Sequence, residues 1–116
     1  MSKDLPKVTI VTVVRNAELL IEETIQSTLA QDYSNIEYVV VDGDSSDATQ
    51  QIIQTYSDRI DHYVSEPDQG IYDAMNKGAR LASGDWVIYM NAGDRFYSPS
   101  SLSQLESALK SDADVI

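Results

Sequence analysis

Four short polar clusters carry the side chains of this sequence that could do chemistry: Arg15-Asn16, Asp42-Gly43-Asp44, Glu66-Pro67-Asp68 and Asn91-Ala92-Gly93-Asp94. Carboxylates gathered at one place repel one another unless water or a cation lies between them. Mg2+ or Mn2+ suits oxygen ligands of this kind. Such an ion also lets an acidic protein hold a diphosphate, by bridging its oxygens. Arg15, Lys77 and Arg80 are the cations available to the phosphates. Taken singly, each cluster is ordinary turn chemistry, since Asp, Asn and Gly are favoured in turns anyway. Only a fold that brings the four together makes a site of them.

The elements between the clusters predict that it does. Residues 8–14 are β-branched throughout with no helical period, as in a strand buried on both faces. Further strands are predicted over 36–41, 61–65 and 86–90. Helices fit between them. Ile21, Ile25 and Leu29 recur at helical spacing, with Asn16 as a candidate cap. Asp47 and Gln50 resemble a capping box ahead of Ile52, Ile53 and Tyr56. Tyr72, Met75, Ala79 and Ala82 form a stripe on a third helix over 71–82. Ser98-Pro99 opens a fourth, with Leu102, Leu105 and Leu109 inward, and residues 113–116 begin another strand. Glu18, Glu22, Glu23 and Glu106 read as solvated helix faces, and most tyrosines as core. The order βαβαβαβα calls for a Rossmann-like, mainly parallel α/β sheet with helices on both faces. In such sheets ligands bind beyond the carboxyl ends of the strands, where all four clusters fall.

Composition narrows the classes. With 8 Lys+Arg against 19 Asp+Glu the net charge is −11, and 13 of the acidic residues are Asp, which favours turns and metal sites. That balance excludes a duplex nucleic-acid binder, which needs a basic stripe. No Cys and a single His exclude thiolate chemistry, and argue against a multi-histidine metal site. No Gly-x-Gly-x-x-Gly follows the first strand and there is no P-loop, so phosphates must be held by metal and basic side chains. A receiver domain would want an acidic pair where Arg15-Asn16 stands. With no export signal or membrane-length apolar run in the sequence, the expected location is cytoplasmic, or peripheral at the inner face of the membrane.

Four pieces of the sequence resemble the nucleotide-sugar-binding half of a family 2 glycosyltransferase of GT-A fold, from residue 7 to 116. They are Pro6 to Thr12 with Arg15-Asn16, then Val40 to Thr49, then Ser65-Glu66-Pro67-Asp68-Gln69-Gly70-Ile71-Tyr72-Asp73-Ala74-Met75-Asn76-Lys77-Gly78, and Asn91-Ala92-Gly93-Asp94. The resemblance implies that Thr12 and Val14 line the base pocket and that Asp42 accepts a hydrogen bond from the base. Asn16 and Asp44 stand in the same nucleotide-binding motifs. Asp68 and Gly70 would lie near the donor, while Asn91 and Asp94 would hold Mg2+ or Mn2+. The implied reaction is inverting transfer of a sugar from a UDP- or GDP-linked donor to a hydroxyl of an acceptor sugar or lipid-linked saccharide, in surface polysaccharide synthesis.

Two departures stand out. The metal motif reads Asn-Ala-Gly-Asp rather than Asp-x-Asp, with Gly93 where Asp is frequent. Family members are also more than twice this long. The expectation is therefore a single nucleotide-diphospho-sugar-binding domain over 1–116 that lacks the acceptor half and the catalytic base. An unfinished sheet would favour a homodimer. The alternative is a non-catalytic remnant that binds a divalent ion or a protein partner.

Overall fold

In a computed structural model, which describes residues 5–111, the β-branched stretch Val8–Val14 is strand β1 and is buried at every position. The elements that follow are α1 (Ile21–Leu29), β2 (Ile36–Asp42), α2 (Thr49–Thr55), a 3-10 turn Ser57–Arg59, β3 (His62–Ser65), α3 (Ile71–Leu81), β4 (Trp86–Asn91) and α4 (Ser101–Ser111). The strands pair in the order β3-β2-β1-β4, and every pairing is parallel. Strand ends are level: Val14 faces Asp42, Val13 faces Asn91, and Asp42 faces Ser65. No helix among the described residues is long and apolar enough to cross a membrane.

Alternation along β1 and β2 divides the core into two layers. Val8, Ile10, Val14, Tyr38 and Val40 pack with Ile21, Ile25, Ile53 and Leu102, so this layer joins α1, α2 and α4. Val11, Val13, Val39 and Val41 pack with Ala74, and Met75 and Leu81 close that layer under α3. The expected helices on both faces are present.

Two helices turn differently from expectation. On α3 the buried residues are Ala74 and Gly78, while Tyr72 is 77% exposed. A Cβ at Gly78 would overlap the Cγ1 of Val11, so the backbone of α3 rests directly on β1. Only the smallest side chains fit there, and the bulky stripe rolls aside. On α4 Leu102 is buried, but Glu106 is 8% exposed and Leu105 39%. The Leu102 N–H donates to Gln31 Oε1 at 3.0 Å and Ser103 donates to Asp32, which sets the roll of the helix. Positions 102 and 106, one turn apart, then face inward together. The Leu109 side chain and the strand expected at 113–116 lie outside the described residues.

At the edge of the sheet where strands begin, Glu37 is 6% exposed and fully engaged. It accepts from Thr9 Oγ1 at 2.7 Å, the Ser83 N–H at 2.7 Å and the Ser83 hydroxyl at 2.9 Å. Lys7 lies 3.8 Å away and His62 Nε2 3.3 Å. Burial by itself raises a carboxyl pKa, but these donors and the Lys7 charge outweigh it and lower that of Glu37 to about 2.

Two outcomes follow for stability. The Glu37 contribution is complete above the ordinary value of 4.5 and is lost as pH falls through about 2. A shift of that size corresponds to about 3 kcal/mol. Urea melts should weaken steeply on acidification across this window, and Glu37→Gln should be less stable at neutral pH with a shallower acid slope. An unchanged slope would refute the assignment. Gly78→Ala should cost about 1–3 kcal/mol by overpacking. Part of that loss should return when Val11→Ala is added, a coupling that a double-mutant cycle measures.

Candidate functional site

Because all four strands run the same way, the four polar clusters meet at one edge of the sheet, and hydrogen bonds stitch them together. Asn16 has φ 49°, a left-handed conformation that Asn tolerates better than most residues. Its N–H donates to Ser45 Oγ at 2.8 Å and its Oδ1 accepts the Ser46 N–H at 2.8 Å. Asn16 therefore ties the loop after β1 to the loop after β2 and does not cap a helix. Helix α1 starts only at Ile21, without a side-chain cap.

Asp42 is fully buried. Its carboxylate accepts the Ser45 N–H at 3.0 Å, the Ser45 hydroxyl, the Ser65 hydroxyl at 2.8 Å and the Gln50 amide at 3.1 Å. A buried charge is tolerated only when its hydrogen bonds are made in this way. Gln50 is drawn to Asp42, so the reciprocal capping box does not form, although Asp47 Oδ1 still accepts the Thr49 N–H at 2.9 Å. Asp42 sits beneath its loop, with three of these hydrogen bonds on Oδ2 and one on Oδ1. Thr12 is likewise fully buried, its Oγ1 2.9 Å from the Tyr38 hydroxyl. Asp44 (φ 63°) and Asn16 are exposed on the rim.

Beside these loops, on the α3 side of β1 and β4, lies a cleft of about 290 Å³. Val13, Val14, Ala17, Ile71, Ala74 and Ala92 give it apolar walls, while Arg15, Asp68, Gly70 and Asn91 supply polar groups. Of the expected site residues, then, Val14, Asp68, Gly70 and Asn91 line the cleft, whereas Thr12, Asn16, Asp42, Asp44 and Asp94 do not. Tyr72 also lies outside its lining. The apolar wall contributed by Ala17, Ile71 and Ala74 has no distinguishing signal in the sequence, where those residues read as helix.

The three candidate cations have separate fates. Lys77 Nζ lies 3.0 Å from Glu66, 3.8 Å from Asp73 and 2.8 Å from the Pro67 carbonyl, so it braces the loop that carries Asp68. Arg80 lies in the last turn of α3 and does not line the cleft. Arg15 does line it, and among the described residues no carboxylate pairs with it.

Asp94 folds back on its own turn: Oδ2 accepts the Asn91 N–H at 3.0 Å. Thr24 anchors that turn, donating to the Asp94 carbonyl at 2.7 Å and accepting the Gly93 N–H at 2.8 Å. Gly93 has φ 101°, so glycine at this position meets a backbone requirement. Among the described residues no three His, Cys, Asp or Glu side chains are grouped to hold a metal ion. One carboxylate and one amide of hard oxygen character fit an ion of the Mg2+ type, which takes one or two protein oxygens and completes its shell with phosphates and water. They do not make a closed protein cage.

Comparison with known proteins bears on the family and the fold. Residues 9–116 match the model of Glycosyl transferase family 2. An uncharacterised glycosyltransferase of Mycobacterium tuberculosis (strain H37Rv) is 35% identical over 111 residues, which are 95% of this chain and 42% of the relative. A PGL/p-HBAD biosynthesis glycosyltransferase of Mycobacterium bovis BCG is 30% identical over 103 residues, covering 86% of this chain and 40% of the relative. Among solved structures, S. aureus TarS 1–349 in complex with UDP-GlcNAc matches with TM-score 0.84 at 23% identity, over 92% of this chain and 32% of that one. The mannosyltransferase PcManGT of Pyrobaculum calidifontis, in complex with GDP-Man and Mn2+, gives TM-score 0.81 at 28% identity, over 97% of this chain and 34% of that one. The chain thus spans about two-fifths of the length of the curated relatives it matches. Its parallel sheet is the one that carries the GT-A fold in those structures, and with the family model reaching along almost its whole length, the chain belongs to glycosyl transferase family 2.

Proposed function

We propose that this chain is the donor-binding part of an inverting enzyme that transfers a sugar from a UDP- or GDP-linked donor to a hydroxyl of an acceptor sugar or lipid-linked saccharide. The observation that carries the reading is the strand-end cleft, in which Arg15 stands with no carboxylate partner among the described residues, in a chain of net charge −11. A cation left unpaired in such surroundings is available to an anionic ligand, and a guanidinium matches phosphate oxygens. The bound UDP-GlcNAc of TarS and GDP-Man of PcManGT support a nucleoside diphosphate sugar as that ligand.

Val14 and Gly70 shape the cleft, and Arg15 holds the diphosphate. Asn91 and Asp94 would hold Mg2+ or Mn2+, a choice supported by the Mn2+ in PcManGT. When bound, the ion stabilises charge on the leaving diphosphate. Asn16, Asp42 and Asp44 shape the rim, and Thr12 stiffens the strand beneath it. In this reading the acceptor site and the base come from a carboxy-terminal part, consistent with the greater length of the relatives. The relative named for PGL/p-HBAD biosynthesis supports a biosynthetic role, which we take to be surface polysaccharide synthesis on the cytoplasmic side of the membrane. Among the described residues β4 is an edge strand, and Val87 and Tyr89 on it, each 39% exposed, support self-association of this chain by itself.

Isothermal titration with UDP and with GDP should show binding that Mn2+ strengthens. Arg15→Ala should weaken it by about tenfold, as expected for loss of one charge-assisted hydrogen bond. If neither nucleotide binds at millimolar concentration the donor reading fails, and ion binding without nucleotide would favour the non-catalytic alternative. Sedimentation of the chain should give the mass of a dimer, and Tyr89→Lys should return it to monomer.

A further inference from the structure

We infer that Thr24 of α1 is a positioning residue for the metal ion: its buried hydroxyl holds the turn that carries Asn91 and Asp94 in the shape that binds Mg2+ or Mn2+. The inference rests on the metal part of the reading above and names a residue on which that part depends.

A threonine inside a helix often gives its hydroxyl to the carbonyl one turn back. Thr28 does so, donating to the Thr24 carbonyl at 3.2 Å. Thr24 takes another course. Its hydroxyl leaves the helix, donates to the Asp94 carbonyl at 2.7 Å and accepts the Gly93 N–H at 2.8 Å, from residues 70 and 69 positions along the chain. Gly93 and Asp94 are exposed, whereas Thr24 is fully buried. A buried hydroxyl is costly without partners, so the helix and the turn satisfy each other.

The turn also has bonds of its own. The Asp94 N–H donates to the Asn91 carbonyl at 2.9 Å, and Asp94 Oδ2 accepts the Asn91 N–H at 3.0 Å. The Ala92 N–H donates to the Val13 carbonyl of β1 at 3.2 Å. Those bonds close the turn and tie its first half to the sheet. Among the described residues, hydrogen bonds fasten its second half, Gly93 and Asp94, to the body of the fold through Thr24. The separation of the Asn91 and Asp94 side chains is set by the turn that joins them. The φ of 101° at Gly93 is part of that curvature, and the Gly93 N–H is a group that Thr24 holds. An ion of the Mg2+ type demands near-ideal geometry from its ligands. Groups that orient such ligands without touching the metal set its affinity by about 10- to 100-fold.

The test is titration of the chain with UDP and with GDP, each with and without Mn2+. The quantity read is the factor by which Mn2+ strengthens binding of the tighter nucleotide. Thr24→Val keeps the shape of the side chain and removes both hydrogen bonds. It should cut the factor by about tenfold, or abolish a smaller one, while metal-free affinity stays within about twofold. Thr24→Ser keeps the hydroxyl and should retain the factor. Ser27→Ala removes the acceptor of the Phe96 N–H, one turn further along α1, and should retain it as well. Hydrogen exchange on the unmutated chain tests the same point without a variant. Before any ligand is added, the Gly93 N–H should exchange at least about tenfold more slowly than an open amide.

A full Mn2+ factor in folded Thr24→Val overturns the inference. So does its loss in Thr24→Ser or Ser27→Ala, which would mark a general loosening of α1, or an equal fall in metal-free affinity. Exchange of Gly93 at the rate of an open amide overturns it even where Thr24→Val does not fold. Each of these results, with an Mn2+ factor in the unmutated chain, leaves the metal reading standing. An unmutated chain that binds nucleotide without any Mn2+ factor overturns the metal reading and the inference together.

Discussion

The carboxylate of Asp42 lies at the last position of β2 with no contact with solvent, and much of the strand-end architecture is the consequence of satisfying it. A buried carboxylate destabilises the fold unless donors surround it. Ser45 supplies two, Ser65 reaches across from β3, and Gln50 reaches back from α2. Those four bonds curl the loop after β2 into one shape. The shape in turn presents Ser45 Oγ and the Ser46 N–H to Asn16, so the loop after β1 is held by the loop after β2. It also brings the bare backbone of Gly43 against Asp68. One satisfied charge thus positions residues on three different loops.

The two edges of the sheet use their acidic residues in opposite ways. Where the strands begin, Glu37 is enclosed by Thr9, Ser83, Lys7 and His62, and the excess of donors holds its pKa down. Such a group stabilises the fold and leaves nothing over for a ligand. Where the strands end, no donor among the described residues reaches one oxygen of Asp68, and none of their carboxylates pairs with Arg15. Groups left incomplete in the folded chain are the ones a ligand can complete. The net charge of −11 is therefore less informative than the distribution of unfilled hydrogen-bonding capacity.

Much of the architecture was legible because it rests on local pattern. The unbroken β-branched run of β1 announces a strand covered on both faces, and Ala92-Gly93-Asp94 announces a turn. Parallel order follows from alternating strands and helices, and parallel order alone puts all four clusters at one edge. Helix orientation was not legible at that level. Leu105 and Glu106 trade places because Gln31 and Asp32 set the roll of α4. Tyr72 yields the inner face of α3 to Ala74 and Gly78 because the helix backbone touches Val11.

For the site the same division holds. Residue types and spacing by themselves determined the fold class, the edge where a ligand would bind, the family resemblance and the set of polar residues from which the site is drawn. The tertiary structure alone decided which members of that set face the cleft. Asp42 and Asp68 are the same residue type at the ends of neighbouring strands, and no local pattern separates them. What separates them is how many donors the described residues bring within reach: four for Asp42, and one backbone N–H for Asp68. Hydrogen-bond saturation depends on residues distant in the chain, such as Ser65 and Gln50 around Asp42. It therefore exists only once the fold has formed.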